Sequence, residues 1–389
     1  MKRSALWFAG LALAAVAAPA QAQLNMQMGN GWNFSFSGNV NGFLVYESTS
    51  DKGTTAGGLV GANTKGFNIR TGLLPSFAVF SVKGRDGGRD LGATFGFAPE
   101  IQCGPGSSNF TNNANCQGSQ IDMRQVFMTV GGVGGGQLLM GRELSLFGRQ
   151  NILNDMTLMG TGPTGGPNGG GTTLGRIGFG YNYPNFNAQL TWSSAAGKNS
   201  QFSIGLFDPS AVDNFTETQL PRVEAEWTMK SESGTMFWVN GLAQSAKDPG
   251  ADQTLTSFGA GGGVKWTGAK ISLVGSGFYG SGIGSTLNFL NATDGADGRT
   301  SFGAYGQGMF TLNDRTSLGV SYGLNQLKGT DAEGGGKLTN SALVAGLYNK
   351  YGKMLRSTLE FTYNQSSDDV SGNENNTGFV LSGGLLLLF

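Results

Sequence analysis

Residues 32–40 read WNFSFSGNV. Trp32, Phe34, Phe36 and Val40 take alternate places, with Asn33, Ser35, Ser37 and Asn39 between them, the period of an extended ribbon with one oily and one wet side. The pattern returns along the chain. Val223, Ala225, Trp227 and Met229 oppose Arg222, Glu224, Glu226 and Lys230; Leu318, Val320, Tyr322 and Leu324 oppose Ser317, Gly319, Ser321 and Asn325; Leu355, Leu359, Phe361 and Tyr363 oppose Arg356, Thr358, Glu360 and Thr362. A soluble sandwich satisfies this alternation, and so does a barrel whose oily face meets lipid and whose inner face meets water.

The connections separate the two. Strands are predicted near 31–47, 67–84, 91–99, 120–130, 136–143, 176–193, 200–207, 220–230, 234–245, 257–266, 270–280, 301–311, 315–327, 339–349, 353–365 and 377–389. Short joins such as RDGGRD, GGVGG, SESG, LNDR and NKYG take turns with long ones near 48–66, 100–119, 144–175, 208–219, 246–256, 281–300, 328–338 and 366–376. That parity predicts an all-β fold: a transmembrane antiparallel β-barrel of 16 strands, with long external loops, short periplasmic turns and both termini on the short-turn side. Composition agrees, since 68 glycines, 13% charged residues and 11% aromatics are unlike a soluble α/β enzyme.

Met1 to Ala22 reads MKRSALWFAGLALAAVAAPAQA: two basic residues, a short apolar stretch and an Ala-x-Ala site. This predicts a signal peptide over 1–22 and a barrel domain over 23–389. Beyond Ala22 no apolar run approaches the ~20 residues of a membrane helix, so any membrane crossing must use strands. Losing Lys2 and Arg3 leaves the mature chain nearly neutral, which gives no footing for a nucleic-acid partner.

The sequence contains no histidine, which removes Ser-His-Asp catalysis and HExxH zinc sites. No catalytic residue, metal site or cofactor is expected. The glycine runs GGVGGG and GPTGGPNGGG do not continue into a phosphate-binding GK[ST]. Arg222, Glu224, Glu226, Arg356 and Glu360 read as a solvated lumen lining rather than paired catalytic acids. The only cysteines, Cys103 and Cys116 in CGPGSSNFTNNANC, are expected to form a disulfide in an exported chain, two free thiols being the alternative.

The last strand, ending SGGLLLLF, puts Phe379, Leu381, Leu385, Leu387 and Phe389 on one face, while Leu386 and Leu388 break the alternation. Ser382, Gly384, Leu387 and Phe389 resemble the carboxy-terminal sorting signal of Gram-negative outer-membrane proteins. In the middle of the chain, RQVFMTVGGVGGGQLLMGRELSLFGRQ and LGRIGFGYNY resemble the strands flanking the constriction loop of the Gram-negative general diffusion porins, 16-stranded trimers. The resemblance implies that the third long loop, about 144–175, folds into the lumen and that Arg142 and Arg176 face it, with Arg149 and Asp155 on the loop itself. Arg176 fits the local alternation; Arg142 shares parity with Met140 and needs a bulge to turn inward. Enterobacterial members carry a Pro-Glu-Phe-Gly-Gly stretch where this chain has GPTGGPNGGG and no carboxylate.

The expected function is a passive water-filled channel for small hydrophilic solutes and ions. It would sit in the outer-membrane lipid of a Gram-negative bacterium as a homotrimer. A plugged structural or adhesive barrel and a channel selective for sugars or organic acids are the alternatives, and a soluble secreted β-protein is a third.

Overall fold

A computed structural model describes residues 24–101, 121–164, 172–197 and 199–389. The expected signal peptide and the expected Cys103–Cys116 pair lie outside the described residues. The strands are β1 (Leu24–Gln27), β2 (Asn33–Thr49), β3 (Lys65–Arg70), β4 (Phe77–Asp86), β5 (Arg89–Pro99), β6 (Ile121–Val133), β7 (Gly136–Leu144), β8 (Phe186–Ser193) and β9 (Ser200–Phe207). They continue as β10 (Arg222–Lys230), β11 (Met236–Asp248), β12 (Gln253–Thr267), β13 (Ile271–Ser281), β14 (Thr300–Thr311), β15 (Thr316–Lys328), β16 (Lys337–Tyr351), β17 (Leu355–Asp368) and β18 (Asn376–Leu388).

All strand pairings are antiparallel and form one closed sheet. Two staves of the 16-strand barrel are composite. β3 and β4 pair with successive parts of β2 along the same edge, so they are one stave interrupted at 71–76. Along the other edge of β2, β1 pairs with residues 33–36 and β18 with residues 39–49. Phe389 completes that seam: its N–H donates to the Gly38 carbonyl at 3.0 Å and its carbonyl accepts from the Gly38 N–H at 2.7 Å. Closure joins the last full strand to the first, which is what a solvent unable to hydrogen-bond demands; among the described residues only the short β1 and β3 are paired along a single edge.

The alternation reads as two surfaces. Val40, Leu44, Tyr322, Leu343, Leu359, Phe361, Leu381, Leu385 and Leu387 are exposed on the outside. Asn39, Asn41, Glu47, Glu224, Glu226, Asn340, Thr358, Glu360 and Ser382 are buried on the inside. A continuous exposed apolar surface of this kind faces hydrocarbon. On this outer surface the Phe36 and Phe389 rings pack at a 40° tilt, with ring centroids 5.3 Å apart.

Three expectations about the chain path need correction. The strand expected over 176–193 begins only at Phe186, because Pro184 has no N–H to give a ladder and Asn185 adopts φ 63°. The stave expected over 67–84 is broken where Thr71–Ser76 turn into the lumen. The long connection expected near 246–256 is a tight turn of residues 249–252, because β11 and β12 extend to meet it.

Leu343 lies near the middle of β16 on the outer face, between Tyr322 and Tyr363 of the neighbouring strands. Leu343→Arg is expected to destabilise the barrel by ~2–4 kcal/mol, the cost of a cation towards the bilayer midplane. Reversible urea unfolding in lipid vesicles measures this. A loss within ~0.5 kcal/mol, the range of an ordinary water-exposed surface change, would contradict the lipid-facing assignment.

Candidate functional site: the lumen and its inserted loop

Between β7 and β8 the chain leaves the wall and crosses the lumen. Residues 149–154 form a short helix, α1 (Arg149–Asn154), and Met156–Met159 a 3-10 turn begun by Asp155, whose side chain accepts from the Thr157 N–H at 2.9 Å. A loop inside a barrel carries backbone donors that must find acceptors. The wall supplies carboxylates. Glu224 accepts from the N–H groups of Leu146 and Phe147, each at 2.9 Å. Glu226 pairs with Arg149 at 2.5 Å and accepts from Gln150 at 3.1 Å. Glu360 accepts from the Thr161 and Gly162 N–H groups at 2.7 and 2.8 Å and from the Tyr348 hydroxyl at 2.5 Å. Glu47 accepts from the Thr164 hydroxyl.

Neutral groups fill the intervals. Trp238 Nε1 and Ser276 Oγ donate to Asn151 Oδ1, at 2.9 and 2.6 Å, and the Tyr305 hydroxyl donates to the Asn151 carbonyl at 2.9 Å. Gln307 donates to the Asn154 carbonyl and accepts from the Met156 N–H. Thr161 and Ser382 share a hydrogen bond of 2.5 Å. Anchors therefore run from β10 round through β18 to β2, and on β3 the Arg70 guanidinium donates to the carbonyls of Thr164 and Thr172 at 3.3 and 3.1 Å. On the remaining side the inserted segment 71–76 takes over: the N–H groups of Leu73 and Leu74 donate to the carbonyls of Gly160 and Leu158 at 3.1 and 3.3 Å.

The apolar face of the loop packs on the inward wall. Leu73, Leu74, Phe77, Val79, Ile152, Leu158, Ile177 and Leu388 belong to one buried cluster, and Leu386 packs with Phe43, Val45 and Val380 beside Met159. This accounts for Leu386 and Leu388: they point inward, but onto the loop rather than into water. Gly160 is tied to the same contact, because a Cβ there would lie 2.1 Å from a Glu360 oxygen.

The structure separates the residues expected at the constriction. Arg149 is on the loop and half-buried against Glu226. Asp155 is buried within the loop, accepting from Thr157 and from the Tyr181 hydroxyl at 2.7 Å. Burial, and then the Asp155 carboxylate, push the Tyr181 phenol well above its usual range, so it stays a donor. Arg176 is fully buried; its guanidinium bonds to Ser321 Oγ and to the carbonyls of Phe179 and Ala342 at 3.3 and 3.1 Å. It braces the loop and does not line open water. Arg142 corrects the expectation outright: β7 pairs in regular register there, and Arg142 stands exposed on the outer face beside the buried, inward Glu143.

A bulge does turn an arginine inward, but on the neighbouring strand. The register of β5 and β6 shifts between Gly96 and Phe97, which leaves Arg124 as the extra residue. Its guanidinium lies 5.8 Å from the Phe186 ring centroid and pairs with Asp122 at 2.8 Å. Arg222, Glu224, Glu226 and Glu360 are inward and buried, with Arg222 bonded to Glu224 at 2.8 Å. Arg356 is inward near the β16–β17 turn, where it donates to the carbonyls of Gly352, Lys353 and Leu355. Among the sorting-signal positions, Ser382 and Gly384 face the lumen, Leu387 faces outward, and Phe389 closes the seam.

Comparison with solved structures places this architecture. The outer-membrane channel DcaP of Acinetobacter baumannii aligns over 94% of this chain and 99% of its own, with TM-score 0.68 and 13% identity. An anion-selective porin from Comamonas acidovorans aligns over 92% and 100%, with TM-score 0.64 and 11% identity. Salmonella typhi OmpF in complex with daunomycin aligns over 94% and 100%, with TM-score 0.57 and 12% identity. No family model and no curated protein sequence matches the chain. The chain has the fold of the Gram-negative outer-membrane porins.

Glu360→Ala removes the acceptor of two loop N–H groups, leaving buried donors whose orphaning costs ~1–3 kcal/mol each. The amides of Thr161 and Gly162 are then expected to lose protection in hydrogen–deuterium exchange while the heat-modifiable barrel band persists. Protection equal to wild type would show that this carboxylate does not hold the loop.

Proposed function

We propose that the protein is a passive outer-membrane channel for small hydrophilic solutes and ions, without catalytic activity. The observation that carries this reading is the pairing of a closed 16-strand barrel with a polar inner wall, since a barrel of this size encloses an aqueous lumen rather than filling itself with wall side chains. The likeness to a channel and to porins supports it. A homotrimer in the outer membrane of a Gram-negative bacterium fits the same reading, as does recognition of Phe389 by the insertion machinery.

A plugged barrel is the second reading, and one observation favours it: the loop bonds to the wall on most sides of the lumen. Conductance separates the two. Purified protein in a planar bilayer is expected to give stable, ohmic openings in steps of three, with current rising in proportion to salt. Insertion without current would establish the plug.

Deleting Phe389 removes two ladder bonds and the ring against Phe36. It is expected to lower the outer-membrane yield severalfold, with material collecting in the periplasm, as read by fractionation. Equal yield would overturn the sorting role.

A further inference from the structure

Beneath the loop, on the short-turn side, lies a cavity of about 420 Å³ whose lining includes Lys265 of β12, Lys350 of β16 and Arg356 of β17. All three have the inward parity of their strands: Lys265 lies opposite the inward Met236, and Lys350 and Arg356 are cross-strand partners. Among the described residues none of the three makes an ion pair. Lys265 donates to Asn154 Oδ1 at 3.1 Å, and Arg356 donates to turn carbonyls, so both are positioned by neutral acceptors. Lys230 of β10 lies on the same cross-strand row as Lys265, through Met236, and adds to the positive field.

The cations outnumber the acids here. Among the residues lining the cavity Asp155 is the one acid, and it keeps its charge, because the Thr157 and Tyr181 groups that donate to it are neutral. Glu360 stands behind Tyr348, bonded to it and to the loop. The loop roof is apolar, Leu153, Met156, Leu158 and Met159, and the wall adds Met309 and Leu388. Three cations against one acid in a partly enclosed recess attract an anion, and a leucine and thioether roof rewards a hydrocarbon body on it.

We propose that this cavity is a binding site for small amphipathic carboxylates, the carboxylate on Lys350, Arg356 and Lys265 and the hydrocarbon portion under the loop. The site rests on the channel reading for its access to solute. It makes the pore selective on its periplasmic side for organic anions over neutral analogues of the same shape.

The test uses the full detergent-solubilised protein with hexanoate as probe and hexanamide as its uncharged counterpart. Saturation-transfer NMR is expected to detect hexanoate binding at least ten-fold tighter than hexanamide. Lys350→Gln with Arg356→Gln is expected to abolish that difference. Lys265→Gln, on a separate strand, should reduce it in case the double variant fails to fold. Lys83→Gln, on the opposite wall, should leave it unchanged. Equal binding of the two probes, or an equal loss with Lys83→Gln, would overturn the site. Salt conductance with equal probe binding refutes the site alone; selective hexanoate binding without conductance refutes the channel alone.

Discussion

Everything in this structure depends on a solvent that accepts no hydrogen bonds. Outside the barrel there is hydrocarbon, so each strand must give its whole ladder to its neighbours and the last must meet the first. The chain meets that demand with two composite staves. β1 and β18 share one edge of β2, and Phe389 carries the pairing to the final residue. β3 and β4 share the other edge, and this interrupted stave can release Thr71–Ser76 inward because β2 runs unbroken past the gap. Closure is preserved while six residues are freed to clasp the loop.

Inside, the constraint is reversed. The loop brings N–H groups into a narrow space where water competes poorly, and the wall answers with Glu47, Glu224, Glu226 and Glu360 at stations around the circumference. A carboxylate can accept several donors at once, as Glu360 does, so few wall positions hold a long loop. The remaining contact is apolar, between the loop's leucines and methionines and inward side chains such as Leu388 and Phe77.

The barrel was legible in the sequence because its two faces meet different solvents, which writes a period of two into nearly every strand. The inward parity of Glu224, Glu226 and Glu360 was legible for the same reason. Their role was not: Glu360 reaches a loop 199 residues away, and no local pattern encodes that contact. Glu47 and Glu143 could have been found by extending the alternation through β2 and β7. Arg142 and Arg124 show the limit of parity. An extra residue in β6 turns Arg124 inward without changing the composition of its segment, and the regular register of β7 keeps Arg142 out. Leu386 and Leu388 looked like errors of alternation only while the lumen was imagined as uniformly wet.

The lumen's charges are also sorted by height. The mid-lumen acids Glu47, Glu224, Glu226 and Glu360 are all engaged by loop donors or by cations, whereas Lys265 and Lys350 below them face the cavity without an ion partner. The field met by a solute is therefore set by where the loop lies as much as by which residues line the wall. With the loop seated, Glu47, Glu224, Glu226 and Glu360 keep their charge but are buried behind it, and the cations of the lower cavity are the charges a solute reaches. A displaced loop would give solute access to those acids as well, so loop position and accessible charge are linked in this fold.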